Sequence, residues 1–468
     1  MAGRPDAIHD DLPPDHVPPI NHLPVELLVE IFFHTLPSPD TTLAFPARMF
    51  VPPPIFLPSP MVLTAVCAHW RVVAISTPML WNRIIAGRLD APCQLRWAAL
   101  HVARSKDLPL VIRVRASSME AFTDTREAAL FDGMLRVLMP HTRRWREVVL
   151  DISNLSTWMQ TLHPLPGSAE YPAPAAPQLE SAALLRHQGQ QQSTCRAFWN
   201  WAMSSPALRC VTLDSEYDFL LRPNEIPAVW DHIRTVNLWH RKIGVLEVLD
   251  LLQAHPCIEV LHVDCLARTS ALVHGMDAAT LPRRRAFAPC LHTLAVVNNM
   301  RMGVQFFRLL DAPQLRHLAV YDFSTTPYAT SASRSRIWTA VKDMLASSPA
   351  RLTSFYCRNS WQDVFMDIIR LDALQDVKEL SFVQATFDDK LAEMLVFDDK
   401  TRFLPQLEAL ALGECRCRSR GKLDDMVVSR AGTLKVLDID QPAPFYDRAV
   451  LEAAKARGLK LKLCLEEN

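Results

Sequence analysis

The feature that most constrains this chain is an apolar signature that recurs through residues 141–468. It is an apolar residue, two variable ones, an apolar, one variable and an apolar. It reads Leu208-Arg209-Cys210-Val211-Thr212-Leu213 and recurs from Ile233, Ile258, Leu291, Leu315, Leu352, Val377, Leu407 and Leu434. Weaker copies start at Trp145, Leu179 and Leu459. Successive first positions of the nine strong copies lie 25, 25, 33, 24, 37, 25, 30 and 27 residues apart. The last two apolar positions of each copy are two residues apart, so they share one face of an extended strand. Several intervening segments carry helical spacing: Val245 to Gln253, Val304 to Leu310, Ile337 to Leu345 and Phe387 to Leu395. One strand and one helix cannot bury their apolar side alone, whereas stacked copies bury it in a continuous seam. Each buried aliphatic side chain contributes roughly 1.5–3 kcal/mol, and a one-residue slip in strand register would forfeit all of it. Pro206, Pro256, Pro289, Pro313 and Pro405 each stand two residues ahead of a first apolar position, which reads as helix-stop punctuation.

The N-terminal region follows a different pattern. In Leu23-Pro24-Val25-Glu26-Leu27-Leu28-Val29-Glu30-Ile31-Phe32, Pro24 suits a first helical position and Glu26 suits the first turn. Leu27, Leu28, Ile31 and Phe32 line one stripe. Leu63, Val66, Cys67, Trp70 and Ala74 form a second stripe, followed by Thr77-Pro78-Met79-Leu80-Trp81. Such a unit is too small to bury this much apolar surface alone, which argues for a docking module. Between the stripes, residues 37–60 hold eight prolines and read as an extended surface loop. Residues 86–140 read as a joining region and possible first repeat, with a helix at Ala98 to Ser105 and a strand at Leu108 to Arg115.

Three motifs in order, Leu23 to Phe32, Val66 to Arg71 and Pro78 to Trp81, resemble the F-box. The spacing of the later signature is similar to that of leucine-rich repeats. The combination resembles the F-box/leucine-rich-repeat family. That resemblance implies an α/β chain: an N-terminal three-helix F-box over residues 20–85, then an irregular solenoid over 141–468 with parallel strands on its concave face. It also implies a substrate-recognition subunit of a Skp–cullin–F-box ubiquitin ligase, itself no enzyme. The Skp-type adaptor, and through it a cullin, would bind through Leu23, Pro24, Leu27, Leu28, Ile31, Phe32, Val66, Cys67, Trp70, Leu80 and Trp81. The array would hold an unidentified protein substrate. The alternative is an interaction scaffold that binds a partner without promoting ubiquitination.

Period two along each strand names the substrate-facing candidates: Asp214, Asn237, Trp239, His262, Asp264, Tyr321, Tyr356 and Arg358. Their aromatic and Arg members are types enriched at binding hot spots. Catalytic and metal signals are thin. Cys257, His262, Asp264 and Cys265 lack the paired spacing of a zinc site. Cys415-Arg416-Cys417 has the wrong spacing for a redox pair. Twelve glycines in 468 residues leave no phosphate-cradling loop. No cofactor is expected. Fifty basic and fifty acidic residues argue against nucleic acid as main partner. Eleven scattered cysteines suit a reducing compartment. Residues 1–19, with four aspartates, read as a disordered tail rather than a signal peptide. A soluble cytoplasmic or nuclear protein, bound to no membrane, is the expectation.

Overall fold

The computed structural model describes residues 20, 23–36, 60–86, 93–115, 125–152, 166–167, 174–185, 192–213, 228–267, 285–298, 301–322, 331–358, 366–398, 403–415, 419, 421–441 and 447–463. The expected tail at 1–19 and all of the proline-rich insertion but Pro60 lie outside them. The chain divides into two compact units, Met1–Val148 and Val149–Asn468. The boundary falls past the 140/141 division expected from the repeat pattern.

The first unit opens with helices α1 (Val25–Thr35), α2 (Pro60–Val66) and α3 (Ala68–Ser76), then a 3-10 turn at Pro78–Leu80. Pro24 caps α1 rather than opening it, and its carbonyl accepts the Leu28 N–H at 3.1 Å. The second apolar stripe is not one helix. Cys67 interrupts it in extended conformation, and its Sγ accepts the Trp70 N–H at 3.4 Å as the N-cap of α3. Strand–helix alternation starts directly afterwards, earlier than the sequence pattern suggested. β1 (Arg83–Ala86) leads to α4 (Cys93–Arg104), β2 (Leu110–Arg115), α5 (Thr125–Leu138) and β3 (Trp145–Asp151). β1 pairs with β2 in parallel.

In the second unit the repeat signature is a parallel ladder. The strands are β4 (Ser181–Leu185), β5 (Cys210–Leu213), β6 (Thr235–Gly244), β7 (Val260–Ala267), β9 (Thr293–Asn298), β11 (His317–Asp322), β12 (Ser354–Arg358), β13 (Glu379–Phe387), β14 (Ala409–Cys415), β15 (Val436–Gln441) and β16 (Lys460–Leu463). They are ordered as in the sequence. Short strands β8 (Ala286–Phe287) and β10 (Leu310–Asp311) pair apart from the main sheet. The expected helical segments form as Val245–Ala254, Arg301–Leu309, Ser331–Ser347 and Asp389–Leu395.

The register is the one the apolar spacing demands. Val211, Val236, Leu261, Leu294, Leu318, Phe355, Leu380, Leu410 and Leu437 stand opposite one another in consecutive strands. Every one of them is buried. From Glu180 to Glu408, the carbonyl just ahead of each strand of the main sheet accepts two N–H groups from the next repeat. Arg209 O accepts from Arg234 and Thr235 at 2.8 and 2.9 Å, and Glu259 O from His292 and Thr293 at 2.9 and 3.1 Å. The side chains at these rungs pair across repeats. Glu259 takes Arg234 at 3.6 Å and His292 at 3.5 Å, and Glu408 takes Lys378 at 3.9 Å and Lys435 at 2.7 Å. Solvent-screened surface pairs of this kind contribute little, so they favour the register more than they secure the fold.

Pro206 and Pro256 do follow the ends of helices Gln192–Met203 and Val245–Ala254, but all five prolines share a second role. Leu208, Ile258, Leu291, Leu315 and Leu407 donate their N–H to Ser205, His255, Ala288, Ala312 and Leu404, three residues back. Each proline is therefore the second residue of a β-turn, where its fixed φ is already correct. The turn delivers the first apolar side chain into the core.

One buried cation ties the last repeats together. Arg430 is fully buried and donates to three carbonyls: Leu395 at 2.6 Å, Phe403 at 2.8 Å and Leu404 at 2.9 Å. Burial lowers its pKa to about 10, so it stays charged. Leu404 holds a positive φ of 43°, unfavourable for a residue with a Cβ, and its carbonyl is one of those Arg430 grips. Arg430→Met should lower stability by about 3 kcal/mol or more, because buried carbonyls lose their donors. Arg430→Lys should recover little, lacking the planar fork. Urea unfolding midpoints check both, and an unchanged midpoint in Arg430→Met contradicts this role.

Candidate functional site

Apolar surface is unevenly exposed. Among the described residues, eleven large hydrophobic side chains are exposed. Nine belong to the N-terminal segment: Ile20, Val25, Leu27, Met61, Val62, Val66, Val72, Ile75 and Met79. Only Phe287 and Val428 lie elsewhere. Isolated exposed apolar residues are ordinary, but nine within one small unit are not.

The helices that present them have their own interior. Leu28, Phe32, Leu63, Val73, Ala74, Leu80 and Trp81 form one buried cluster, with Val29, Phe33, Leu36 and Trp70 packed against it. The Trp70 and Phe32 rings lie 4.9 Å apart. Trp81 Nε1 donates to Ala74 O at 2.7 Å. The eleven residues marked for adaptor contact therefore separate by role. Leu28, Phe32, Leu80 and Trp81 are core and cannot touch a partner while the unit is folded. Leu23, Ile31, Cys67 and Trp70 are half-buried, and Pro24, Leu27 and Val66 are exposed. The stripe reading missed Val25, Met61, Val62, Val72, Ile75 and Met79. Their signal was present, since Val62 and Val66 are four apart, as are Ile75 and Met79, and Val72 lies three before Ile75.

His101 of α4 braces the end of this unit. Trp81 O is only an acceptor, so Nδ1 carries the proton in their 3.0 Å bond. The His101 ring meets Trp81 and Trp97 edge-on at 5.1 and 4.8 Å. Nε2 is buried without a hydrogen-bond partner. Burial, which outweighs the favourable bonds to backbone, brings its pKa down to about 4, with Arg104 adding to the fall.

The strand-face candidates do not form one site. Asp214 lies outside the described residues, as do the side chains of Trp239 and Arg358. Asn237 and His262 stand opposite each other on β6 and β7, and Tyr321 and Arg358 on β11 and β12. Between His262 and Tyr356 come Ala295 of β9 and Ala319 of β11, both buried. With rungs about 4.8 Å apart, that separates His262 from Tyr356 by three strand spacings. Asn237 Nδ2 donates to Thr212 Oγ1 at 3.0 Å. Burial lowers the His262 pKa to about 4. Asp264 is half-buried. Tyr321 is only 5% exposed, so it packs inside rather than facing a ligand. The Tyr356 hydroxyl donates to Glu379 Oε2 at 2.6 Å; burial first, then that carboxylate, push its pKa up.

Among the described residues no group of three or more His, Cys, Asp or Glu is arranged to hold a metal. Among them, too, no helix is long and apolar enough to cross a membrane. No family model matches the chain, and no curated protein does. A crystal structure of a Bacteroides fragilis protein from a structural genomics consortium is similar at 12% identity and TM-score 0.33, over 62% of this chain and 67% of that one.

The two histidines fix a pH dependence. Unfolded, a histidine titrates near its ordinary 6.5; folded, His101 and His262 titrate at about 4. Between those values the unfolded chain binds more protons, so stability falls as pH drops from about 6.5 towards 4. Melting temperatures across that range should fall for the wild type and fall less for His101→Gln. An identical fall in the variant contradicts the assignment to His101.

Proposed function

We propose that this chain is a substrate-recognition subunit of a Skp–cullin–F-box ubiquitin ligase, its N-terminal helices being an F-box that docks to the Skp-type adaptor. The observation that carries the reading is the concentration of exposed apolar side chains on the helices that bear the three F-box-like motifs. A small helical unit with its own core and an apolar exterior suits a permanent partner, because obligate interfaces are the more apolar ones. The contact set is accordingly the outer one, Leu27, Val62, Val66, Val72, Ile75 and Met79 with half-buried Ile31. Leu28, Phe32, Leu80 and Trp81 hold those side chains in place.

The mechanism is proximity. The docked helices tie the repeat array to the ligase scaffold, and a bound protein substrate presents its lysines to a separate enzyme that transfers ubiquitin. The array acts as a non-catalytic holder in which the buried Ala295, Ala319 and Tyr321 take no part in contacting the substrate.

Co-expression with a Skp-type adaptor and size-exclusion chromatography tests the proposal. The wild type should elute as a stoichiometric complex. Leu27→Asp with Val66→Asp should abolish the complex and leave the helical unit folded, since both side chains are already more than half exposed. Leu28→Asp should instead unfold the helical unit. Wild-type protein that elutes alone, or a double variant that still binds, overturns the assignment.

A further inference from the structure

The turns that precede β7 and β9 carry a chemistry that the docking reading does not use. Among the described residues, six turns ahead of repeat strands have proline as second residue, and their third residue is Gln178, Ala207, Cys257, Cys290, Gln314 and Gln406. Thiols occur at this position only in two repeats that are neighbours in the sheet, since β7 pairs directly with β9. The register between them is set by the strand pairing that follows the cysteines. Val260 stands opposite Thr293, three residues on from Cys257 and Cys290 respectively. Both turns close with the same bond, Ile258 N–H to His255 O at 3.2 Å and Leu291 N–H to Ala288 O at 3.4 Å. The turn before them keeps the same stacking, with Ile233 N–H on Trp230 O at 2.9 Å and the Trp230 and His255 rings stacked at 5.3 Å. Cys257 and Cys290 therefore occupy equivalent places on adjacent rungs. Parallel rungs are about 4.8 Å apart, within the roughly 4.4–6.8 Å that separates Cα atoms across a disulfide.

Both residues are half-buried with free thiols, so small reagents reach them. The Cys257 thiol now donates to carbonyls of the preceding repeat, Ile233 O at 3.6 Å and Trp230 O at 3.9 Å. To bond with the following repeat it has to leave those two acceptors. Burial pushes the Cys257 thiol up, the nearby Arg234 opposing this, which suits it to close a linkage rather than to start one.

We infer that Cys257 and Cys290 form a dithiol site that a low-molecular-weight disulfide converts into a single cross-link between neighbouring repeats. In the first step the Cys290 thiolate attacks one sulfur of the small disulfide. A mixed disulfide forms and one small thiolate leaves. In the second step the Cys257 thiolate attacks the Cys290 sulfur and expels the other small thiolate. Two protein thiols are oxidised and the small disulfide is reduced to two thiols, which take up the two protons released. The cross-link ties two positions 33 residues apart in sequence, so it restricts the unfolded chain and raises stability.

The test uses the full chain with glutathione disulfide as the probe, followed by alkylation of remaining thiols and peptide mass mapping. The expected result is a Cys257–Cys290 linked peptide more abundant than any other cysteine linkage, with loss of both alkylation sites and a raised melting temperature. Dithiothreitol should reverse all three changes. Cys290→Ser and Cys257→Ala should each remove the linkage and the rise in melting temperature, and the untreated variants should melt as the wild type does. The inference is overturned if the two thiols are capped separately, if either links elsewhere, or if both stay alkylatable.

Discussion

From Glu180 to Glu408, the carbonyl just ahead of each array strand accepts two N–H groups from the repeat that follows. Arg234 O takes Glu259 and Val260 at 2.8 and 3.0 Å, and Lys378 O takes Glu408 and Ala409, both at 2.8 Å. A buried backbone group left unpaired costs about as much as a lost hydrogen bond, so this shared acceptor fixes where each new strand starts. With the start fixed, alternate side chains fall on alternate faces, and Val236, Leu261, Leu294 and Leu318 meet in one buried row. Insertions of different length between repeats leave the register untouched, because it is reset at every rung.

The same rule explains what was readable beforehand. Strands were legible because the two-residue period and the shared acceptor admit one register, and the spacing of Leu208, Val211 and Leu213 states it. The prolines are only half legible, since a helix stop, which holds at Pro206 and Pro256, and the second residue of a β-turn, which holds at all five, leave the same mark in a sequence. Arg430 was invisible. Its partners are the carbonyls of Leu395, Phe403 and Leu404, and a main-chain oxygen has no letter of its own. In the helical unit the stripe rule joined Leu28 and Leu27 as one contact face. The three-helix packing separates them, placing the first in the core and the second in water. A helix shared between a private core and a partner has two apolar faces, and periodicity alone does not say which face looks outward.

Two kinds of surface thus belong to one chain. The array closes its own centre: Tyr321, Ala295 and Ala319 are buried on the strand face where binding residues were expected. The N-terminal helices leave their exterior apolar and open. The proposed docking contact at the helices follows from that contrast.

The most direct test of this account is hydrogen–deuterium exchange on the full chain with and without a saturating Skp-type adaptor. The account predicts added protection within Val25–Thr35 and 60–80, with exchange across the paired strands from Cys210 to Leu463 unchanged. Protection confined to the strands, or none anywhere, would contradict it.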